Sequence, residues 1–247
     1  MFEQWVGEVR EVSYPSRQGW TSKVTILEAE RGRFVVKHST GQYAGWLEQE
    51  ERVLRDLAGM EKVPQVEAFL QKEGEAWLVM DFLPGETIRE VLSREMPREQ
   101  RDEVLFAWGR ALRALHDTPV PAAWRRQEAW LEIKLADAEE NLRTGCDGTP
   151  ELLARLRASM PEPRRHVLMH GDFTVDNTLA AGSQITAIID WAGGAYGDPR
   201  YDLALATRPK PGIFDPETDR DAFYKGYGCE PITEEEFRYF ESLYDFF

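Results

Sequence analysis

The residues best suited to chemistry in this sequence lie in one stretch, His170-Gly171-Asp172-Phe173-Thr174-Val175-Asp176-Asn177. It follows the apolar run Val167-Leu168-Met169. A further acid, Asp190, lies 13 residues beyond Asn177 and closes a second apolar run, Thr186-Ala187-Ile188-Ile189. One loop and one strand end therefore present Asp172, Asn177 and Asp190, an oxygen-rich set. Magnesium takes such ligands: one or two carboxylates hold it, and positions stay open for phosphate oxygens. A carboxylate on a loop, as at Asp172, is placed to accept a proton. Taken singly, each of these residues reads as an ordinary Asx turn. Together at this spacing, each beside a strand-like run, they point to a site that handles metal and phosphate.

A second group lies nearer the start. Lys37 ends the run Phe34-Val35-Val36, and a lysine on a strand can reach nucleotide phosphates when a carboxylate anchors it. Glu48, Glu50 and Glu51 are the nearby carboxylates. Glu50 comes three residues after Leu47 and four before Leu54, which places it on their inward helix face. Glu50 is therefore the expected partner of Lys37.

The elements that must position these residues follow from periodicity. Val24-Thr25-Ile26-Leu27 and Phe34-Val35-Val36-Lys37 are β-branched runs separated by the turn-like Glu30-Arg31-Gly32-Arg33. A helix is predicted over 44–58, with Leu47, Leu54 and Leu57 on one face. Strands are predicted over 66–70 and 77–80, with Lys72-Glu73-Gly74 between them. Asp81-Phe82-Leu83-Pro84-Gly85 carries a Pro-Gly turn and marks a boundary. Beyond it helices dominate. Leu105, Trp108, Leu112 and Leu115 form an apolar stripe on a helix over 98–116. Further helices are predicted over 129–142, 151–159, 219–227 and 234–244, the last opened by a Thr233/Glu236 capping box. A β-rich patch over 185–191 interrupts them, and Asp198 followed by Pro199 reads as a helix start. The division expected is a β-rich segment 1–80, a hinge 81–85 and a helical segment 86–247.

Composition sets the outer limits. The chain has 247 residues, 42% hydrophobic and 30% charged, as expected of a globular protein large enough for a substantial core. Its net charge of −14 argues against a nucleic-acid partner, whose phosphates would be repelled. Cys146 and Cys229 lie far apart and in no metal-binding spacing, so neither a disulfide framework nor a zinc site is expected. No run reaches the roughly 20 apolar residues of a membrane span, and Met1-Phe2-Glu3-Gln4-Trp5 lacks signal-peptide character. A cytoplasmic location with no membrane partner is the expectation.

The motifs His-Gly-Asp-x4-Asn, Ile-Asp-Trp (189–191) and Gly197-Asp198-Pro199-Arg200-Tyr201-Asp202-Leu203-Ala204, in this order, resemble the aminoglycoside phosphotransferase family. Choline, homoserine and macrolide kinases share a similar core. The resemblance runs from about Gly19 to Ala206. It implies an α+β, bilobal, protein-kinase-like fold that transfers the γ-phosphoryl of a nucleotide to a small-molecule hydroxyl. By this resemblance Asp172 is the catalytic aspartate, Asn177 and Asp190 are the magnesium ligands, and Lys37 with Glu50 holds the α- and β-phosphates. Asp190 stands in Asp-Trp-Ala, where protein kinases have Asp-Phe-Gly. His170 is expected to brace the loop, and the Asp198–Asp202 block to be structural. Gly19-Trp20-Thr21-Ser22 lacks GxGxxG and reads equally as a hairpin turn. By resemblance Thr21 and Ser22 cover the phosphates with hydroxyl and backbone donors. The run 77–85 resembles the hinge strand, with the Asp81 C=O and the Leu83 N–H facing the base edge and Met80 behind the base. ATP is the expected nucleotide and GTP stays open.

The acceptor expected is a small, cationic hydroxyl compound, an aminoglycoside-type antibiotic first. A metabolic small-alcohol kinase acting on homoserine, choline or a sugar derivative is the alternative. A nucleotide-binding pseudoenzyme is the third reading, against which the intact Lys37, Asp172, Asn177 and Asp190 stand. Candidate acceptor carboxylates are Asp137, Glu139, Glu140, Glu234, Glu235, Glu236, Asp245 and the terminal carboxylate of Phe247.

Overall fold

The computed structural model describes residues 2–125 and 129–247, a mixed α+β chain in two compact units. The first unit comprises Met1–Gly85 and Thr186–Gly193, the second Glu86–Ile185 and Gly194–Phe247.

The first unit runs α1 (Glu3–Val6), β1 (Val9–Ser13), β2 (Lys23–Ala29), β3 (Gly32–Thr40), α2 (Ala44–Asp56), β4 (Val66–Lys72) and β5 (Glu75–Asp81). The five strands form one antiparallel sheet in the order β1-β2-β3-β5-β4. Tight turns set its register. The β4–β5 hairpin closes at Lys72↔Glu75, and its two turn residues, Glu73 and Gly74, have φ of 55° and 82°. A two-residue type I′ turn needs positive φ at both positions, which glycine supplies without steric cost.

Strand β3 has a neighbour on each side, and Phe34, Val36, Lys37 and Ser39 along it are buried. Alternate side chains point to opposite faces. Phe34 and Val36 join Val6, Leu27, Ala29, Ala68 and Val79 in a core on one face, with Phe2, Trp5, Val9 and Trp77 packed around it. The opposite face carries Lys37 and Ser39, both buried. There α2 lies with Ala44, Leu47, Glu50, Val53 and Leu54 buried. A linear division of the sequence puts Thr186–Gly193 with the helical segment, yet these residues pack with the first unit. The Ile188 N–H donates to the Lys62 carbonyl at 2.8 Å, and the Trp191 N–H to Glu50 at 3.3 Å.

The second unit begins with β6 (Glu86–Thr87), α3 (Ile88–Leu92), α4 (Arg98–Asp117), α5 (Trp130–Thr144) and α6 (Pro150–Ala158). It continues with β7 (Val167–Met169), β8 (Thr178–Ala181), β9 (Gln184–Ile188, which carries the chain into the first unit) and β10 (Ala195–Gly197). It ends with α7 (Pro199–Ala206), α8 (Pro216–Tyr227) and α9 (Glu234–Tyr244). Strands β7 and β10 pair antiparallel, as do β6 and β8. Three helices start alike: Thr149, Asp198 and Asp215 accept a backbone N–H at the cap, and proline follows in the first turn. Helices α4 and α8 approach closely, because a Cβ at Gly109 would overlap the Phe223 carbonyl and one at Gly226 the Phe106 carbonyl. Among the described residues no helix is long and apolar enough to cross a membrane.

Candidate active site

In the first unit, Lys37 Nζ donates to both Glu50 oxygens at 2.6 and 2.8 Å and to Asp190 Oδ1 at 3.1 Å. The Lys37 and Glu50 side chains are only 9% and 3% exposed, whereas Asp190 is 45% exposed. A lysine buried alone would lose its proton readily. Here burial is outweighed by the carboxylates of Asp190 and Glu50, which raise its pKa and keep the ammonium charged. Burial and the like charge of Asp190 push Glu50 upward, opposed by Lys37. Glu50 interrupts the apolar stripe of α2 because the cation on β3 compensates its charge.

Asp190 has φ of 70°, a left-handed conformation rare outside glycine and better tolerated by aspartate than by most residues. Trp191 secures this turn: it is fully buried, its indole donates to the Ile188 carbonyl at 2.8 Å and its backbone N–H to Glu50.

The remaining candidates of this unit sit around the same sheet. Thr21 and Ser22 precede β2, and the Ser39 hydroxyl donates to the Thr21 carbonyl at 3.0 Å. Ser39 shares its face of β3 with Lys37. Gln18 pins the other side of the loop, with its amide bonded to the Val24 N–H and C=O at 2.7 and 3.0 Å. Trp20, at the loop's tip, is 96% exposed. Met80 is buried on β5 two residues from Leu78, the cross-strand partner of Lys37, and so shares the Lys37 face. Asp81 ends β5. Its N–H donates to the Gln65 carbonyl at 3.1 Å and its carboxylate accepts from the Gln65 N–H at 2.6 Å. Leu83 lies just beyond the strand.

In the second unit the loop between β7 and β8 carries Asp172 and Asn177. Asn177 Nδ2 donates to Asp172 Oδ2 at 2.6 Å and to the Asp172 carbonyl at 2.9 Å. This use of the amide nitrogen fixes which end of the side chain is the acceptor. The loop is held from beneath by Asp202, a fully buried carboxylate on α7 that accepts from the His170 and Gly171 N–H groups, each at 2.8 Å. His116 lies 3.2 Å from Asp202, and its other ring nitrogen is 2.8 Å from the Tyr227 hydroxyl. His170 Nδ1 accepts the Asp172 N–H at 3.2 Å. Phe173 stacks on Trp108, whose indole donates to Thr178 at 3.1 Å. Asp176 is gripped by Arg89 and Lys210, the latter at 2.8 Å. Burial alone would raise the Asp176 pKa; the two cations pull it down to about 2.

Two neighbours of Asp172 escaped the sequence reading. The Tyr244 hydroxyl donates to Asp172 Oδ1 at 2.9 Å. The Lys134 ammonium lies 3.5 Å from the Phe247 ring centroid. Burial lowers its pKa to about 8, against the pull of Asp137 and Asp172. Both residues lie on predicted helices of which only the acidic side chains and a capping box were singled out, and neither belongs to a recognisable motif. Of the acids singled out for an acceptor, Glu139, Glu140 and Glu234 pair with Arg157, Arg143 and Arg238, and Glu236 pairs with Arg164 and Arg200. Asp245 also pairs with an arginine, Arg208 at 3.7 Å, but burial and then Glu241 raise its pKa, with Arg208 opposing and Asp147 adding to the rise.

Residues 15–240 match the profile of a phosphotransferase enzyme family. An aminoglycoside 3'-phosphotransferase of Escherichia coli is 25% identical over 224 residues, covering 86% of this chain and 80% of that protein. One of Niallia circulans is 26% identical over 212 residues, covering 81% and 79%. The crystal structure of an aminoglycoside 3'-phosphotransferase of type VIII superposes with a TM-score of 0.77 at 26% identity, covering 96% of this chain and 93% of that one.

Proposed function

The chain belongs to the phosphotransferase enzyme family and is a small-molecule kinase, and from that premise we propose that it moves the γ-phosphoryl of ATP to a hydroxyl of an aminoglycoside-type compound. The observation that carries this reading is the buried Lys37, held charged by Glu50 and Asp190 at 2.6 and 3.1 Å. A phosphate-binding lysine needs this restraint, and a surface lysine lacks it. In this reading Lys37 contacts the α- and β-phosphates, while Thr21 and Ser22 cover them. The Asp81 C=O and Leu83 N–H meet the base edge, and Met80 lies behind the base. Asp172 orients the acceptor hydroxyl and takes its proton late in the transfer, so positioning supplies most of the catalysis.

Each of the two residues proposed to hold magnesium carries an oxygen of the kind it binds. Asp190 offers a half-exposed carboxylate. Asn177, its nitrogen committed to Asp172, offers an amide oxygen. Among the described residues no group of three or more His, Cys, Asp or Glu could hold a metal ion. Magnesium binds through one or two protein oxygens and takes its remaining ligands from phosphate oxygens and water. Bound there, it would neutralise charge on the transferring phosphoryl group.

The aminoglycoside assignment draws on the relatives named above. It also draws on Asp245, whose carboxyl is raised by burial and by nearby Glu241 and Asp147 although Arg208 lies 3.7 Å away. One observation favours the small-alcohol reading instead: Lys134 places a cation in the field of Asp172, which suits a neutral group next to the reacting hydroxyl. Coupled ADP detection over aminoglycosides, macrolides, choline, homoserine and sugars, with ATP and GTP each as donor, tests the assignment. Turnover above the water background with aminoglycosides is expected. Turnover with neutral or anionic acceptors only would overturn the cationic acceptor and leave the kinase intact.

A further inference from the structure

We propose that Tyr244 is a positioning residue for phosphoryl transfer, its phenol fixing the Asp172 carboxylate in the orientation from which it accepts the acceptor's proton. The proposal rests on the role given to Asp172 above. A carboxylate held at one oxygen can swing about its last torsion, because that rotor is broad. Asp172 is held at both: Oδ2 accepts from Asn177 at 2.6 Å and Oδ1 from Tyr244 at 2.9 Å. The donors come from different elements, one from the Asp172 loop itself and one from the end of α9. Each carboxylate oxygen has two lone pairs, so an oxygen engaged by Tyr244 can still accept from an acceptor hydroxyl.

The tyrosine is itself braced. The residues after α9 are tied to α5 and to the connection that follows it: the Asn141 amide donates to the Phe246 carbonyl at 2.9 Å, and the Gly148 N–H to the Asp245 carbonyl at 2.8 Å. Phe246 is fully buried, and a Cβ at Gly148 would overlap its ring. The Arg208 guanidinium lies 5.5 Å from the Tyr244 ring centroid. Packing of this kind needs the ring alone. The hydroxyl adds a donor aimed at the one side chain of this loop proposed to touch the acceptor.

Tyr244→Phe keeps the ring and removes only the donor. ATP turnover is read by coupled ADP detection with kanamycin as acceptor and with water alone. Loss of one hydrogen bond to a charged group predicts a kcat about tenfold lower, with KM for ATP and kanamycin unchanged and the melting temperature lower by no more than a few degrees. In an Asp172→Ala background the same substitution should change the residual rate by less than about twofold, because the carboxylate it positions is gone. A kcat near wild type in Tyr244→Phe overturns the proposal, and so does an equal loss in both backgrounds. An Asp172→Ala variant as active as wild type, or no ADP from wild type, removes instead the reading on which the proposal rests.

Discussion

Substituting Lys37 should separate its structural from its chemical role. Lys37→Met removes the cation that compensates Glu50, whose side chain is 3% exposed. Breaking a buried ion pair by deleting one partner costs about 3–5 kcal/mol, since a charge is left buried without its partner. The low end is expected, because the Trp191 N–H still donates to Glu50 and Asp190 faces water. At about 2–4 °C per kcal/mol for a chain of this size, the melting temperature should fall by roughly 6–12 °C. Adding Glu50→Leu reverses the argument: Leu47, Val53 and Leu54 already line that face of α2. An apolar replacement for a buried pair is often neutral or better. The double variant should therefore recover most of the lost stability and still lack turnover. Differential scanning calorimetry and coupled ADP detection read the two effects. A Lys37→Met variant as stable as wild type would refute the reasoning, as would a double variant less stable than the single one.

Two further outcomes follow from the second unit. Asp202→Ala removes the acceptor of two buried N–H groups in the Asp172 loop, so it should cost about 2 kcal/mol or more; kcat should fall although Asp202 touches no substrate, and urea titration with single-turnover kinetics checks both. The Asp176 pKa is depressed to about 2 by Arg89 and Lys210, so its stabilisation is present above its unfolded value of 3.8 and lost as pH falls through 2. Asp176→Asn should therefore be less stable than wild type at pH 6 and approach it near pH 2, as followed by circular dichroism; a constant difference across that range would show that the carboxylate's charge is not what matters.

Long-period signals were legible in the sequence, and short ones were not. The strands around Lys37, the apolar stripes of α2 and α4, and the Thr233 capping box each rest on several residues in register. Lys37 and Glu50 were paired from spacing, and the structure brings them together. Helix α1 has four residues, too few for any periodicity, and it is held by Val6 packing into the sheet core. Strand β1 is mostly exposed, reading Val-Arg-Glu-Val-Ser, and offers little hydrophobic contrast. Strand β6 has two residues and gains its identity from Ala180 and Leu179 on β8. Tyr244 and Lys134 were missed for a different reason. The Tyr244 contact and the electrostatic influence of Asp172 on Lys134 span 72 and 38 positions of sequence, and no local pattern records them.

Carboxylates, abundant enough to make the chain strongly acidic, are sorted by what they face. Asp219 is fully buried and takes Arg98 and Arg101. Asp198 is buried with Arg200, and Asp202 with two backbone N–H groups. In each, desolvation is offset by donors that occupy the oxygens, and the product is a braced loop or helix start. Asp190 is built differently. Nearly half of it faces solvent, its cation Lys37 is shared with Glu50, and its backbone sits in the left-handed region. Such conformations cost about 1–3 kcal/mol and persist where the surroundings over-determine them. The fixed Trp191 and the pairing of Ile188 with Lys62 do this on either side of Asp190. Holding an accessible carboxylate in a costly conformation does little for stability. It is intelligible as the placement of an oxygen for a ligand, and that, more than the net charge of −14, distinguishes Asp190 from the acids that hold the fold.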